Sequence, residues 1–409
     1  MRLMLFAATT GYQIRVFAEA ARRLGVDFRL ATDRCRRIED PWGDHALPVR
    51  FGDTAGSLKL LRLHRFDAVV AVGDAPTVLA AEAAEQKGIL FHPPAAVRAC
   101  RNKFLARQAY QAAGLPVPSF FTARLADGPA AAAARAPYPC VLKPLGLSGS
   151  RGVIRANTPD EFAAAFHRIR GILADPEIRR QRQEHDTFVQ VESYIPGREF
   201  AVEGLVTGGD LRVLALFDKP DPLEGPYFEE TIYVTPSRAD ASLQEAIVDT
   251  VRRAAGALGL RHGPLHAECR VDERAVWMLE IAARPIGGLC AKTLRFTGGM
   301  PLEELIIRHA IGEDVRGAQL EGPASGVMMI PIPKSGVFQS VRGVERAAAV
   351  PCIEEALITA TPGQVLKQLP EGSSYLGFLF ARAAAPEAVE EALRAAHAEL
   401  AFEISTALA

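Results

Sequence analysis

The sequence predicts a multidomain protein of mixed α/β and α+β class: an N-terminal parallel α/β domain, a larger central domain and a small C-terminal α+β lobe. Three observations lead there. Strand and helix patterns alternate over about the first 95 residues, which argues for a parallel sheet with helices on both faces. Period-two alternation then dominates "TFVQVESYIPGREFAVEGLVTGGDLRVLALF" and "LHAECRVDERAVWMLEIAARPIGG", the pattern of antiparallel hairpins. Finally, 409 residues exceed one ordinary core and suggest two or three domains.

The elements follow in order. "RLMLFAA" reads as a buried strand. "YQIRVFAEAARRLG" reads as an amphipathic helix, with Ile14, Phe17 and Ala21 on one face and Gly25 at its end. "VDFRLAT" and "FDAVVAVGD" are further strands, followed by an Ala-rich helix from Pro76 to Lys87 and a strand "GILFH". The first turn, "AATTGYQ", lacks the glycine fingerprint of a dinucleotide-binding domain. Asn102 is placed to cap the next helix, which Gly114, Pro116 and Pro118 stop. "LADGPAAAAARAPYP" fits either a linker or a short helix capped by Asp127 with Pro129 in its first turn. "PDEFAAAFHRIRGIL" is an amphipathic helix, and "IRRQRQEHD" is a run of surface charge. The last helix is "PEAVEEALRAAHAELA". No internal repeat is visible. The expected domains are 1–98, 99–320 with a small lid at 118–190, and 321–409.

Composition narrows the function classes. A formal net charge of −1 gives no reason to expect a nucleic-acid or acidic-membrane surface. No run approaches a membrane span, and the start has no signal-peptide pattern. A cytoplasmic protein is expected. Cys35, Cys100, Cys140, Cys269, Cys290 and Cys352 include no C-x-x-C pair and read as small buried hydrophobes rather than zinc ligands or disulfides.

Two stretches carry chemistry. In "YPCVLKPLGLSGSRGVI" a buried strand ends on Lys143, and Gly146, Gly149 and Gly152 follow at every third position. This suits phosphate, although it matches neither the P-loop nor the G-x-G-x-x-G spacing. In the second stretch, alternate strand residues put His266, Glu268 and Arg270 on one face. Met278, Glu280, Ala282 and Arg284 share a face of the partner strand, while Trp277, Leu279 and Ile281 fall on the apolar side. A turn at Arg274 sets Glu268 opposite Glu280. Like charges opposed across strands destabilise unless the pair separates into solvent or a hard divalent cation lies between them. Arg284 suits phosphate or carboxylate, and Gly287-Gly288 allows close approach of a ligand.

Taken together, these features resemble the ATP-grasp superfamily, and within it the carboxylate–amine ligases similar to L-amino-acid (dipeptide) ligases. The matched order is Lys103 on an early helix, "YPCVLKP", the loop 145–153, "VESYIPGREFAVEG" and "HAECR…LEIAARPIGG". The resemblance implies an ATP-grasp fold behind an N-terminal pre-ATP-grasp domain. It implies ATP and Mg²⁺, with Mn²⁺ as a substitute. Lys103 and Lys143 would contact phosphates under the loop, with Ser148, Gly149 and Ser150 supplying hydroxyls and N–H groups. Glu192, Tyr194 and Ile195 would form the adenine hinge, and Glu199 would hold the ribose. Glu268 and Glu280 would bind the metal. Arg284 would stabilise the transferring phosphoryl group, and His266 would either lie near the γ-phosphate or pack. Glu229, Glu230, Gly287 and Gly288 would meet the substrates. One position departs from the pattern: Ala282 stands where many members carry a metal-binding Asn.

The implied reaction is activation of a carboxylate as an acyl phosphate and its capture by an amine, so the partners are small molecules, with neither nucleic acid nor membrane and with a homodimer allowed for. Two other readings remain open at this point: a bicarbonate-activating, carboxylase-type enzyme of the same superfamily, and a nucleotide-binding module without turnover.

Overall fold

The computed structural model describes residues 1–8, 13–33, 46–179 and 183–406. The first sheet contains β1 (Arg2–Ala7), β2 (Asp27–Thr32), β3 (Ala46–Pro48) and β4 (Ala68–Val72), all parallel, in the order β3-β2-β1-β4. Most of the turn "AATTGYQ" lies outside the described residues, as does Cys35. The helix after β4 is Asp74–Lys87, two residues longer at its start than the pattern predicts. "GILFH" is not a strand. Ile89 and Phe91 pack on the N-terminal core instead, and Pro93-Pro94 opens the helix Pro94–Arg101 at once. A short apolar run does not reveal whether it is buried by pairing or by packing.

Asn102 caps the helix Lys103–Ala112, accepting from the N–H groups of Phe104 and Leu105. The lid sheet follows: β5 (Phe120–Arg124), β6 (Cys140–Pro144), β7 (Ile154–Ala156) and β8 (Phe188–Ser193), antiparallel in the order β5-β8-β6-β7. The helices Ala130–Arg135 and Pro159–Leu173 pack on it. The low-complexity stretch is therefore helical, although Pro129 rather than Asp127 occupies the N-cap.

The central sheet has eight strands in the order β13-β12-β9-β10-β11-β16-β20-β18. These are β9 (Arg198–Thr207), β10 (Asp210–Lys219), β11 (Ile232–Thr235), β12 (Gly263–Val271), β13 (Val276–Ala282), β16 (Ala324–Ile330), β18 (Ile353–Ile358) and β20 (Gly377–Ala383). β9 and β10 turn at Gly208-Gly209 as the pattern predicts, but β8, in the same alternating stretch, belongs to the lid. The strands β16, β18 and β20 extend this sheet past residue 320, so the C-terminal lobe shares a sheet with the central domain. A short ribbon, β14 (Arg295–Phe296) and β15 (Met300–Pro301), and a three-stranded sheet, β17 (Gly336–Arg342), β19 (Val365–Leu366) and β21 (Ala401–Ser405), complete the described strands.

The β12–β13 hairpin pairs Glu268 with Glu280, as the turn at Arg274 predicts. It then pairs Cys269 with Met278, so Leu279 is an extra residue on β13. This bulge corrects the expected faces. Beyond it the alternation inverts, burying Met278 in the core and turning Leu279 toward the cavity. Among the described cysteines, Cys140, Cys269 and Cys290 are buried and none is disulfide-bonded. Cys352 is exposed, against expectation. No helix among the described residues is long and apolar enough to cross a membrane.

Candidate active site

A cavity of about 280 Å³ lies between the lid, the central sheet and the C-terminal lobe. It collects Lys103, Lys143, Ser148, Gly149, Ser150, Glu192, Tyr194, Ile195, Glu199, Glu230, His266, Glu268, Glu280, Arg284, Gly287 and Gly288, the residues singled out above save one. Glu229 is the exception. Its neighbour Glu230 lines the cavity, whereas Glu229 borders a separate cleft with Ile332, Lys367 and Ser373. Adjacent residues of an extended segment face apart.

The glycine loop begins where β6 ends. Gly152 has φ +74°, and a Cβ there would stand 2.7 Å from Pro144 Cγ. At Gly149, φ is +62° and a Cβ would approach Ser373 of the C-terminal lobe to 3.2 Å. Both positions demand glycine because the chain folds back on its own strand end and is then covered. Three contacts bind this region to the C-terminal lobe. The Gly152 N–H donates to the Pro370 carbonyl at 2.9 Å, and Arg151 Nε donates to the Glu371 carbonyl at 2.8 Å. Arg168, on the lid helix, donates to both Glu371 carboxylate oxygens at 2.5 and 2.9 Å.

Lys143 forms an ion pair with Glu192. The other donors to Glu192 are Arg107, with Nε at 3.0 Å and Nη2 at 3.2 Å, and Gln190 at 2.9 Å. Burial works against the charged carboxylate, but Arg107 and Lys143 outweigh it and hold Glu192 down to about 2. Arg107 also donates to the carbonyls of Met278 and Leu279 at 2.8 and 3.0 Å, the two peptides at the bulge. Lys103 donates to the Leu147 carbonyl at 2.6 Å and lies 3.3 Å from Glu280 Oε2. At the hinge, the Tyr194 N–H donates to the Pro139 carbonyl, and the Ile195 carbonyl accepts from Arg270 Nη1 at 2.8 Å.

Lys219, at the end of β10, is the centre of a second ion cluster. Its Nζ is 2.7 Å from Glu199 Oε1, 2.7 Å from Glu230 Oε1 and 3.3 Å from Glu268 Oε1. Carboxylate oxygens of these three residues lie within 4.8 Å of one another, so the ammonium sits where a cation would otherwise balance them. The second oxygen of Glu199 accepts from Arg270 Nε at 2.8 Å. The second oxygen of Glu230 accepts from the Tyr233 hydroxyl at 2.8 Å. His266 is held between two carboxylates, with Nδ1 3.0 Å from Glu203 and Nε2 3.4 Å from Glu268. Burial opposes a charge on this imidazole, but the flanking carboxylates raise it to about 9, so it is a cation at neutral pH.

Arg284 donates from Nε to Asp74 Oδ1 at 2.7 Å and from Nη1 to the Pro285 carbonyl at 3.0 Å. Glu203 accepts the Ile286 N–H at 3.1 and 3.2 Å, and Gln13 donates to the Ile286 carbonyl at 2.7 Å. Arg107, Lys219, Glu203, Asp74, Ser373 and Tyr375 are the site residues that sequence reasoning missed. For one of them a signal existed. "LALFDKP" ends a buried strand on Lys219-Pro220, just as "CVLKP" ends one on Lys143-Pro144.

Glu268 and Glu280 are register partners on β12 and β13 and both line the cavity, offering hard oxygen donors of the kind a divalent cation takes. Ala282 pairs with His266 and brings no amide oxygen.

This fold, with a lid over a cavity lined by lysines, glycines and paired carboxylates, defines an ATP-grasp protein. Residues 136–293 match the ATP-grasp domain family, and residues 328–405 match the L-amino acid ligase C-terminal domain 2. The chain thus carries an ATP-grasp domain followed by an L-amino acid ligase C-terminal domain 2. The L-amino acid ligase from Bacillus licheniformis superposes with a TM-score of 0.85 at 26% identity, covering 99% of each chain. Phosphoribosylglycinamide synthetase from Anaerococcus prevotii shares the fold, with a TM-score of 0.70 at 15% identity over 99% of this chain and 100% of that one. Among curated proteins, the ATP-grasp enzyme fsqD of Aspergillus fumigatus is 25% identical over 78% of this chain and 62% of its own length. An uncharacterized protein, y4rH, of Sinorhizobium fredii is 26% identical over 76% of this chain and 63% of its own. The chain thus spans less than two thirds of the length of these two relatives.

Proposed function

We propose that the protein joins a carboxylate to an amine, both of them amino acids, through an acyl phosphate, releasing ADP and phosphate. The observation that carries this reading is the convergence of Lys103, Lys143 and the glycine loop with the Glu268–Glu280 pair and Arg284 in one cavity. The reaction needs no nucleophile from the protein. One carboxylate oxygen of the acid substrate attacks the γ-phosphorus as ADP leaves. The amine then attacks the acyl carbon, and phosphate leaves with that oxygen.

The residues would bind, orient and exclude water. Lys143, fixed by Glu192, and Lys103, fixed by the Leu147 carbonyl, present ammonium groups to phosphate oxygens. Glu268 and Glu280 would hold Mg²⁺, which neutralises charge on the phosphates when bound. Arg284 faces the developing charge on the transferred group. The loop, tied to Pro370 and Glu371, keeps water from the acyl phosphate. Glu230 and the Tyr233 hydroxyl form the polar corner suited to a substrate ammonium group.

The test is phosphate release from pairs of amino acids with ATP and Mg²⁺, using an acid substrate labelled with ¹⁸O. Label is expected in the released phosphate. Turnover without label excludes the acyl phosphate, and release of AMP and pyrophosphate excludes the whole assignment. Arg284→Ala is expected to lower kcat on the order of a hundredfold while ATP still binds, because about 3 kcal/mol of charge stabilisation acts only in the transition state.

A further inference from the structure

We propose that Arg168 and Glu371 are a positioning pair: joining the lid to the C-terminal lobe, they hold the glycine loop shut and decide whether amine or water meets the activated acid. The intermediate rests on the ligase reading above; the contacts do not.

Glu371 and the residue before it take four hydrogen bonds from the lid. The Glu371 carboxylate receives a fork from Arg168, Nε to Oε1 at 2.5 Å and Nη2 to Oε2 at 2.9 Å. The Glu371 carbonyl accepts from Arg151 Nε at 2.8 Å, and the Pro370 carbonyl accepts the Gly152 N–H at 2.9 Å. Arg151 and Gly152 belong to the loop, whereas Arg168 lies on the helix Pro159–Leu173 that packs on the lid sheet. Arg151 also places Nη2 3.3 Å from Asp175 Oδ2, just past the end of that helix. Loop, lid helix and lobe therefore meet at one residue.

Both sides of this seam are braced. The Gly372 N–H donates to the Gln368 carbonyl at 2.8 Å, and a Cβ on Gly372 would stand 1.9 Å from the Lys367 carbonyl oxygen. Gln368 is tied to the Pro333 carbonyl at 2.6 Å and to Ser335 Oγ at 3.0 Å, and the Leu376 N–H donates to the Ile330 carbonyl at 2.9 Å. Between these anchors, Ser373 and Tyr375 line the cavity. On the lid side, Arg168 donates to the Tyr227 hydroxyl and lies 5.0 Å from the centre of that ring, so its guanidinium is aimed before it meets Glu371. The two ion-paired side chains are 41% and 40% exposed, and a pair so exposed holds weakly. Weakness suits a cover that must open to exchange substrate and product. The two backbone carbonyls set where the loop sits, and the fork adds the margin that keeps it there.

The experiment compares wild type, Arg168→Gln, Glu371→Gln and the double variant. Arg170→Gln, which removes the same charge two residues along the same helix, is the control. The first readout is hydrogen exchange of the Gly152 amide, which is bonded across the seam, with ATP and Mg²⁺ present. Each single variant is expected to exchange up to ~5-fold faster than wild type, the factor an exposed ion pair supports. The double variant is expected to match the singles, because each removes the same interaction. The control is expected to match wild type. The second readout is amide formed per phosphate released. Water attacking the acyl carbon in place of the amine returns the acid and releases phosphate. Amide and phosphate are therefore expected to be equal in wild type and in the control, while phosphate exceeds amide in the three seam variants and KM for ATP stays nearly unchanged. Wild-type exchange in either single variant, additive effects in the double variant, an equal effect of the control, or amide still equal to phosphate in a variant that exchanges faster each overturns the proposal. If no amino-acid pair releases phosphate in wild type, the ligase reading fails, while the exchange measurement still decides whether the pair holds the loop.

Discussion

Glu192 is buried and Glu230 half-buried; both line the same cavity and both touch a lysine, yet their carboxyl groups are driven in opposite directions. Burial alone would raise either one. Glu192 has Arg107, Lys143 and the Gln190 amide around it, and its carboxyl is held down to about 2. Glu230 has Lys219 and the Tyr233 hydroxyl, but it shares that lysine with Glu199 and Glu268, and burial and the charge of Glu268 raise its carboxyl. Charge here is controlled by the ratio of cations to carboxylates rather than by depth. Around Glu192 two cations serve one anion, and the surplus positive charge suits phosphate. Around Lys219 one ammonium serves three anions. Arg270 relieves Glu199 and His266 relieves Glu268, which leaves Glu230 as the carboxylate least compensated.

The largest expected effect comes from removing the shared cation. Lys219→Met leaves three carboxylates facing one another, and breaking such a buried network costs about 3–5 kcal/mol. Urea unfolding at pH 8 should show this loss, and it should shrink at pH 5.5, where Glu230 takes up a proton. A loss below about 1 kcal/mol at pH 8 would mean that the cluster relaxes without its lysine.

A matched pair of substitutions gives the next effect and has opposite signs. The Glu192 carboxyl is depressed below its ordinary 4.5. It therefore contributes stability above pH 4.5 that disappears as pH falls toward about 2. Glu192→Gln should cost about 3 kcal/mol at pH 7, since it leaves Arg107 and Lys143 buried without their anion. The Glu230 carboxyl is raised above 4.5. The folded state then binds more protons than the unfolded state above pH 4.5, so Glu230 withdraws stability as pH rises through its folded value. Glu230→Gln should be neutral or stabilising at pH 8. If both variants lose equally at that pH, the ratio of partners is not what sets the charge.

A third cluster, of the buried His92 and His309 with the half-buried His262, sets a neutral reference. The rings of His262 and His309 stack at 4.1 Å, and His92 accepts the Arg261 N–H on Nδ1, with Nε2 against the Pro264 carbonyl. Burial lowers His92 and His309 to about 4. These rings are neutral when folded and take up protons when unfolded, so stability is lost as pH falls from 6.5 toward 4. His309→Gln should flatten that limb by up to about 1.4 kcal/mol per pH unit. An unchanged slope would show that the stacked rings do not govern it.

Local pattern carried much of the site. The Glu268–Glu280 pairing follows from alternation and one turn, both short-range properties, and the glycine loop announces itself because each constrained backbone position demands the same residue type. The bulge at Leu279 does not follow from β13 itself. It is capped by Arg107, from a helix 171 residues away in sequence, donating to the Met278 carbonyl. Arg107, Lys219 and Glu203 read as ordinary charges in a helix or a strand until their partners are known. Ser373 and Tyr375 read as loop residues until the C-terminal lobe is seen to border the lid.

By itself the sequence determined most of the element types, the parallel N-terminal sheet, the glycine loop and the residues offered for phosphate and metal, because each depends on spacing along one segment. Only the tertiary structure decided which of those charges are already paired. Ion pairing depends on distances between segments remote in the chain, and the Asp74–Arg284 contact, spanning 210 residues, has no trace in either segment alone.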